Sequence, residues 1–128
     1  MSIYGLIAVG LGAVLGAWLR WGLSIMFNPI FPSLPLGTLA SNLIGGYLIG
    51  VFFEFFNTHV ELPPEARLLV ITGFLGALTT FSTFSAESAT LLASEQFDWG
   101  AIHIASHLTG SVALTFLGIF TVKWLQGL

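Results

Sequence analysis

A chain of 128 residues that is 55% hydrophobic and only 7% charged stands apart from soluble domains, which carry roughly a quarter charged residues, and reads as a membrane protein. Its net charge of −3 is too small to name a partner, the lack of a basic patch excludes nucleic acid, and the lack of cysteine excludes a disulfide framework or a thiolate metal site. Four apolar stretches, at about 3–19, 36–56, 68–93 and 101–125, each meet the roughly 20 residues a helix needs to cross about 30 Å of hydrocarbon. They predict an all-α membrane protein, a single four-helix transmembrane domain over 1–128, with helices at about 3–26, 36–57, 66–94 and 99–126. Loops remain only around Asn28 to Pro35, Asn57 to Glu65 and Glu95 to Gly100. No soluble catalytic domain fits, so an enzyme is not expected and any activity belongs inside the bundle.

The first helix begins without a preceding Lys or Arg, so it reads as a span rather than a cleaved signal peptide, whose n-region is positive and whose apolar core is shorter. It carries Gly12-x-x-x-Gly16 and ends near Arg20. With one end of the chain on a given side, Arg20 falls opposite Arg67 and Lys123. Lys and Arg normally collect on the cytoplasmic side, and two against one is a weak instruction. Insertion in both orientations, followed by antiparallel pairing, and insertion in a single orientation are both compatible with it.

The second helix repeats the small-residue pattern as Gly46-x-x-x-Gly50, which lets backbones approach in lipid, either within one subunit or across a dimer. Asn42, within "GTLASNLIGG", is the polar group of this span. An unpaired polar group in hydrocarbon costs several kcal/mol, so its amide either bonds a neighbouring helix or presents its NH₂ to an anion. Glu54 lies near the end of this helix.

The third helix holds "GALTTFSTFSAES", with Thr79, Thr80, Ser82, Thr83 and Ser85 in an otherwise oily run. Gly76 weakens the helix and the hydroxyls compete for backbone groups, so a break at mid-membrane is expected, with freed carbonyls able to hold a small cation. The alternative is an unbroken helix with its hydroxyls bonded backward. Phe81 and Phe84, three apart, share a face. Such a pair is ordinarily core packing, yet the positive edge of a phenyl ring can also favour an anion. Glu87 lies one step further along as proton carrier or vestibule group.

The fourth helix repeats His103, His107, Ser111 and Thr115 at steps of four, a drifting polar stripe about 18 Å long. The hydroxyls of such a stripe either bond back to carbonyls or line a path. His at i and i+4 can share a metal, but no Glu follows the first His and no Cys is available, so zinc is not the reading. Together the spans offer hydroxyls, one amide and phenyl edges without a fixed cation. That combination favours passage of a small, hard, hydrogen-bonding anion, with Arg20 able to draw anions to a mouth.

"GAVLGAWLRW", "GTLASNLIGG" and "GFLGALTTFSTFSAE" resemble the motifs of the Fluc (CrcB) fluoride channels, and the likeness covers all four helices in order and length. The resemblance implies passive fluoride export across the bacterial inner membrane by an antiparallel, dual-topology homodimer with two pores in the lipid bilayer. It implies a structural sodium ion at the dimer centre, held by the backbone carbonyls of Gly76 and Thr79 and their symmetry mates. It implies a fluoride pathway of Phe81, Phe84, Asn42, Ser82, Thr83, Ser111 and Thr115, with Arg20 and Glu87 at the vestibule. His107 stands where some members carry Tyr.

Two other classes compete. A coupled antiporter, for fluoride and protons or for small molecules, needs a titratable group on its path. Glu87 is the candidate for a proton-coupled fluoride carrier, whereas the first helix lacks the embedded Glu of small drug antiporters. A non-transporting scaffold would use the same polar residues for packing alone.

Overall fold

The computed structural model describes residues 1–127, and among them all regular structure is helical, with no strand. Four helical spans are long and apolar enough to cross a bilayer: Ile3–Ile30, Leu36–Thr58, Pro64–Ala93 and Phe97–Leu125. The chain is a multi-pass membrane protein. Its surface is inverted relative to a soluble domain: Trp18, Trp21, Phe116 and Trp124 all lie outside, where hydrocarbon is as good a solvent for them as a core. The interior is built largely from glycine and small polar residues, including Gly12, Gly16, Thr38, Ser41 and Gly50.

Both small-residue patterns are spent within the chain. A side chain on Gly12 would collide with the backbone oxygen of Leu69, one on Gly16 with that of Phe74, and one on Gly50 with that of Thr115. The first span therefore lies backbone to backbone on the first half of the third, and the second span on the fourth. Close approach of this kind gains dispersion contacts that bulky side chains would forbid.

Local signals explain the helix ends. Ser2 Oγ accepts the Gly5 N–H at 3.0 Å, satisfying one of the orphan donors of a helix start. Pro35 cannot cap the second span through a side chain, and Asn28 does so from the preceding turn, its Oδ1 accepting from Gly37 N (2.7 Å) and Thr38 N (3.1 Å). The third span ends with Glu95 at φ 61°, while Gln96 N–H reaches Leu91 O at 2.9 Å and Glu95 N–H reaches Leu92 O at 3.1 Å. These are the paired bonds of a Schellman cap.

The third span is the irregular one. After a first turn at Pro64–Arg67, Leu68–Leu75 is wound as a π-helix, Gly76–Leu78 returns to α, and a separate helix runs over Phe81–Ala93. The π-wound stretch is the one that Gly12 and Gly16 press against.

Candidate functional site

The site is organised by two residues. Thr79 (φ −83°, ψ 152°) and Thr80 (φ −148°, ψ 112°) are extended, between helical segments that end at Leu78 and resume at Phe81. Threonine suits both requirements: its β-branch fits extended backbone, and Thr80 Oγ1 caps the new helix by accepting the Thr83 N–H at 3.1 Å.

Backbone groups released inside hydrocarbon need partners, and neighbouring spans supply them. Asn42 Oδ1 accepts the Thr80 N–H at 2.7 Å, and Asn42 Nδ2 donates to Thr80 O at 3.1 Å. The second amide hydrogen points to His107 Nδ1 at 2.9 Å. Because Oδ1 must face the Thr80 N–H, the amide orientation is set, and His107 Nδ1 is the acceptor. Arg20 Nε donates to Ala77 O at 2.9 Å. So Arg20, the only cation of the first span, is tied to the third span through Nε.

Two carbonyls are left over. The Thr80 N–H that would return to Gly76 O in a helix goes to Asn42, and the Thr83 N–H that would return to Thr79 O goes to Thr80 Oγ1. Among the described residues neither carbonyl accepts a backbone hydrogen bond across the interruption. Gly76 is exposed, and a Cβ there would meet only one atom, Ile71 O at 3.7 Å.

Beside these two residues lies a cavity of about 430 Å³, whose wall includes Asn42, Gly76, Thr79, Phe81, Phe84, His107, Ser111 and Thr115. The sequence singled out all of these, and the fold brings them to one space. The two phenyl rings sit 5.4 Å apart, tilted 57°. Phe81 is 73% exposed, whereas Phe84 is 7% exposed, stacks on His103 at 5.4 Å and lies tilted by 40° against His107 at 4.7 Å. Thr115 Oγ1 is 2.8 Å from both Ser111 O and Gly46 O, stitching the fourth span to the second.

Two residues expected on the pathway, Ser82 and Thr83, are not on this wall, and neither are the two expected at the vestibule, Arg20 and Glu87. Ser82 is exposed, its Oγ 3.3 Å from Thr80 Oγ1, and Thr83 contributes its N–H to the cap. Arg20 lies at Ala77. Glu87 sits in a separate cluster, accepting from Thr38 Oγ1 at 2.7 Å and approaching His103 Nε2 to 3.4 Å. Sequence reasoning missed Thr38 entirely, because a lone hydroxyl near a helix start carries no signal of a partner 49 positions away. It missed the Asn42–His107 bond for the same reason, although both residues were marked.

The chain is similar to named proteins over nearly its whole length. A 63% identical relative from Nitrosospira multiformis, matched over 125 residues and 98% of both chains, bears the name fluoride-specific ion channel FluC. So do relatives from Cupriavidus pinatubonensis, 58% identical over 98% of this chain and 99% of its own, and Thiobacillus denitrificans, 54% identical over 94% and 97%. The model of the family described as CrcB-like protein, Camphor Resistance (CrcB), matches residues 7–119, and the chain belongs to that family.

Proposed function

We propose that this protein is a fluoride-selective channel that lets fluoride leave the cytoplasm passively, as the names of its relatives say of them. One observation carries the reading from this chain's own atoms: one cavity, within the span of the bundle, is lined by two phenyl rings and by hydroxyl-bearing side chains, with no Lys, Arg, Asp or Glu on its wall. Fluoride is small and strongly hydrated. The Ser111 hydroxyl, as donor, and the positive edges of Phe81 and Phe84 replace part of its water shell, while the Thr115 proton is held by backbone carbonyls. A fixed ammonium would hold the ion, and a purely aliphatic wall would reject it, so weak distributed donors suit conduction.

Asn42 acts in this reading mainly through the backbone it holds. With its Oδ1 and both amide hydrogens engaged, it keeps Thr80 extended and thereby aims Phe81 outward and Phe84 inward. Phe81 and Gly76 lie at the open side of the cavity. A second, inverted copy closing that side completes the pathway and yields an antiparallel homodimer in the bacterial inner membrane, consistent with the near balance of positive charge between the two sides.

The Gly76 and Thr79 carbonyls fit a sodium ion. They are hard oxygen donors at the end of a broken helix, they lack their helical partners, and Gly76 offers no Cβ to obstruct approach. Two-fold symmetry doubles two carbonyls into four. Bound there, sodium supplies a positive charge that offsets converging carbonyl dipoles.

Purified protein in liposomes tests the proposal. A fluoride electrode should record rapid efflux once a potassium ionophore balances charge, with chloride retained. No release, or equal release of chloride, removes it. In the same vesicles Phe81→Ile, which keeps bulk on an exposed side chain but removes ring polarity, should slow efflux by about tenfold or more, the value of roughly 1.4 kcal/mol of ion stabilisation.

A further inference from the structure

Around His107, which also stands on the cavity wall, three side chains converge from two spans. Glu87, His103 and His107 each place a ligand atom within 4.8 Å of the others. His103 is 0% and His107 3% exposed, yet Glu87 Oε1, both nitrogens of His103 and Nε2 of His107 have no hydrogen-bond partner. Orphaned polar atoms at this depth are costly, and one ligand atom from each of the three residues lies close enough to the others to share a ligand. We propose that Glu87, His103 and His107 form a binding site for a divalent transition-metal ion of the zinc(II) class, distinct from the carbonyl pair at Gly76 and Thr79, and that its occupancy slows anion passage past Phe84.

The geometry agrees with the chemistry. Two ligands at 2.0–2.1 Å in a tetrahedron stand about 3.4 Å apart, and Glu87 Oε1 lies 3.4 Å from His103 Nε2 without forming a hydrogen bond. Two imidazoles and one carboxylate make a three-ligand set that leaves a fourth position open, whereas magnesium and calcium seek oxygen alone. Both outer ligands are oriented by a second residue. Thr38 Oγ1 holds Glu87 Oε2 and leaves Oε1 free, and Asn42 holds the His107 ring through Nδ1 until the ion binds. The missing third ligand of the helical His pair thus comes from the other half of the site. Glu87 is only partly buried, with 17% of its side chain exposed, and provides the entry.

The ligands are unequal. While Asn42 donates to His107 Nδ1, the ring proton resides on Nε2. Coordination there transfers the proton to Nδ1 and breaks the Asn42 bond, so Glu87 and His103 anchor the ion and His107 joins last. The effect on anion passage rests on the fluoride-channel reading; the binding itself does not.

Binding is therefore measured first, by equilibrium dialysis of the purified full-length protein against zinc and by the visible spectrum with cobalt(II). About one ion per chain and an intense four-coordinate cobalt spectrum are expected. His103→Gln should weaken binding by about a hundredfold and His107→Gln by about tenfold, with Glu87→Gln close to the former. His59→Ala, at a loop histidine, should leave it unchanged. No binding, a six-coordinate spectrum, or binding indifferent to both His103→Gln and Glu87→Gln overturns the site. Flux is then compared with and without zinc in each protein. A ratio below one in wild type that returns to one in His103→Gln supports the inhibitory effect, and an unchanged wild-type ratio despite bound zinc overturns it. If fluoride does not move at all, the dialysis and the spectrum still decide the site, because neither depends on transport.

Discussion

Asn42 was legible as an intramembrane amide, but its chemistry changes in the fold. Presenting NH₂ to an anion is natural for a side chain considered alone. In the structure its oxygen and both hydrogens are committed to Thr80 and His107, because lipid leaves no water for an extended backbone residue. The competition between anion and backbone is won by the backbone. Asn42→Ala then orphans the Thr80 N–H and C=O together, at about 1–3 kcal/mol each. We expect a clear fall in the thermal melting midpoint of the purified protein in addition to lost flux. A variant that loses flux while melting like wild type would return Asn42 to direct contact with the ion. Phe84 is likewise both wall and core, since it packs against two imidazoles; Phe81, with nothing but its ring to lose, is the cleaner probe.

At the scale of the element, the third span contains most of what the site needs. Its cluster of hydroxyls was readable as a site of backbone competition, and the dihedrals of Thr79 and Thr80 are extended there. The π-winding of Leu68–Leu75 had no sequence signature, because it concerns how a helix settles against a neighbour's backbone. Gly12 and Gly16 make that settlement possible. Gly12→Ala drives a methyl into Leu69 O and the Phe74 N–H, where backbone cannot yield cheaply, and should lower the melting midpoint markedly, with a cost of about 1–3 kcal/mol. Gly10→Ala on the same helix meets nothing within 4 Å and should be neutral or stabilising by up to about 1 kcal/mol, the helix propensity of alanine over glycine. Equal effects at the two positions would mean that the packing does not depend on the close approach.

At the scale of the molecule, the cavity is walled by residues of the second, third and fourth spans, with Phe81 and Gly76 among the exposed ones. An inverted second copy is the partner that our reading assigns to those two. The cysteine-free chain makes orientation measurable. Val60→Cys, at an 84% exposed loop residue, should react with a membrane-impermeant thiol reagent to roughly half in sealed cells and fully after permeabilisation, as equal insertion both ways requires. Labelling of all or none before permeabilisation would eliminate dual topology and, with it, the four-carbonyl sodium site.

What the sequence determined by itself follows from water and hydrocarbon as solvents. Length and composition dictate four spans, because about 20 apolar residues cross a bilayer and few charges are tolerated inside. They also mark nearly every polar residue that must have a purpose there. Which polar residues meet was decided only by tertiary structure. Asn42 clamps Thr80, Glu87 faces two imidazoles, and Arg20 reaches Ala77, and these pairings join residues on different spans whose register depends on where glycine lets backbones touch. A polar side chain announces its need for a partner in the sequence; the packing of the spans decides which partner it finds.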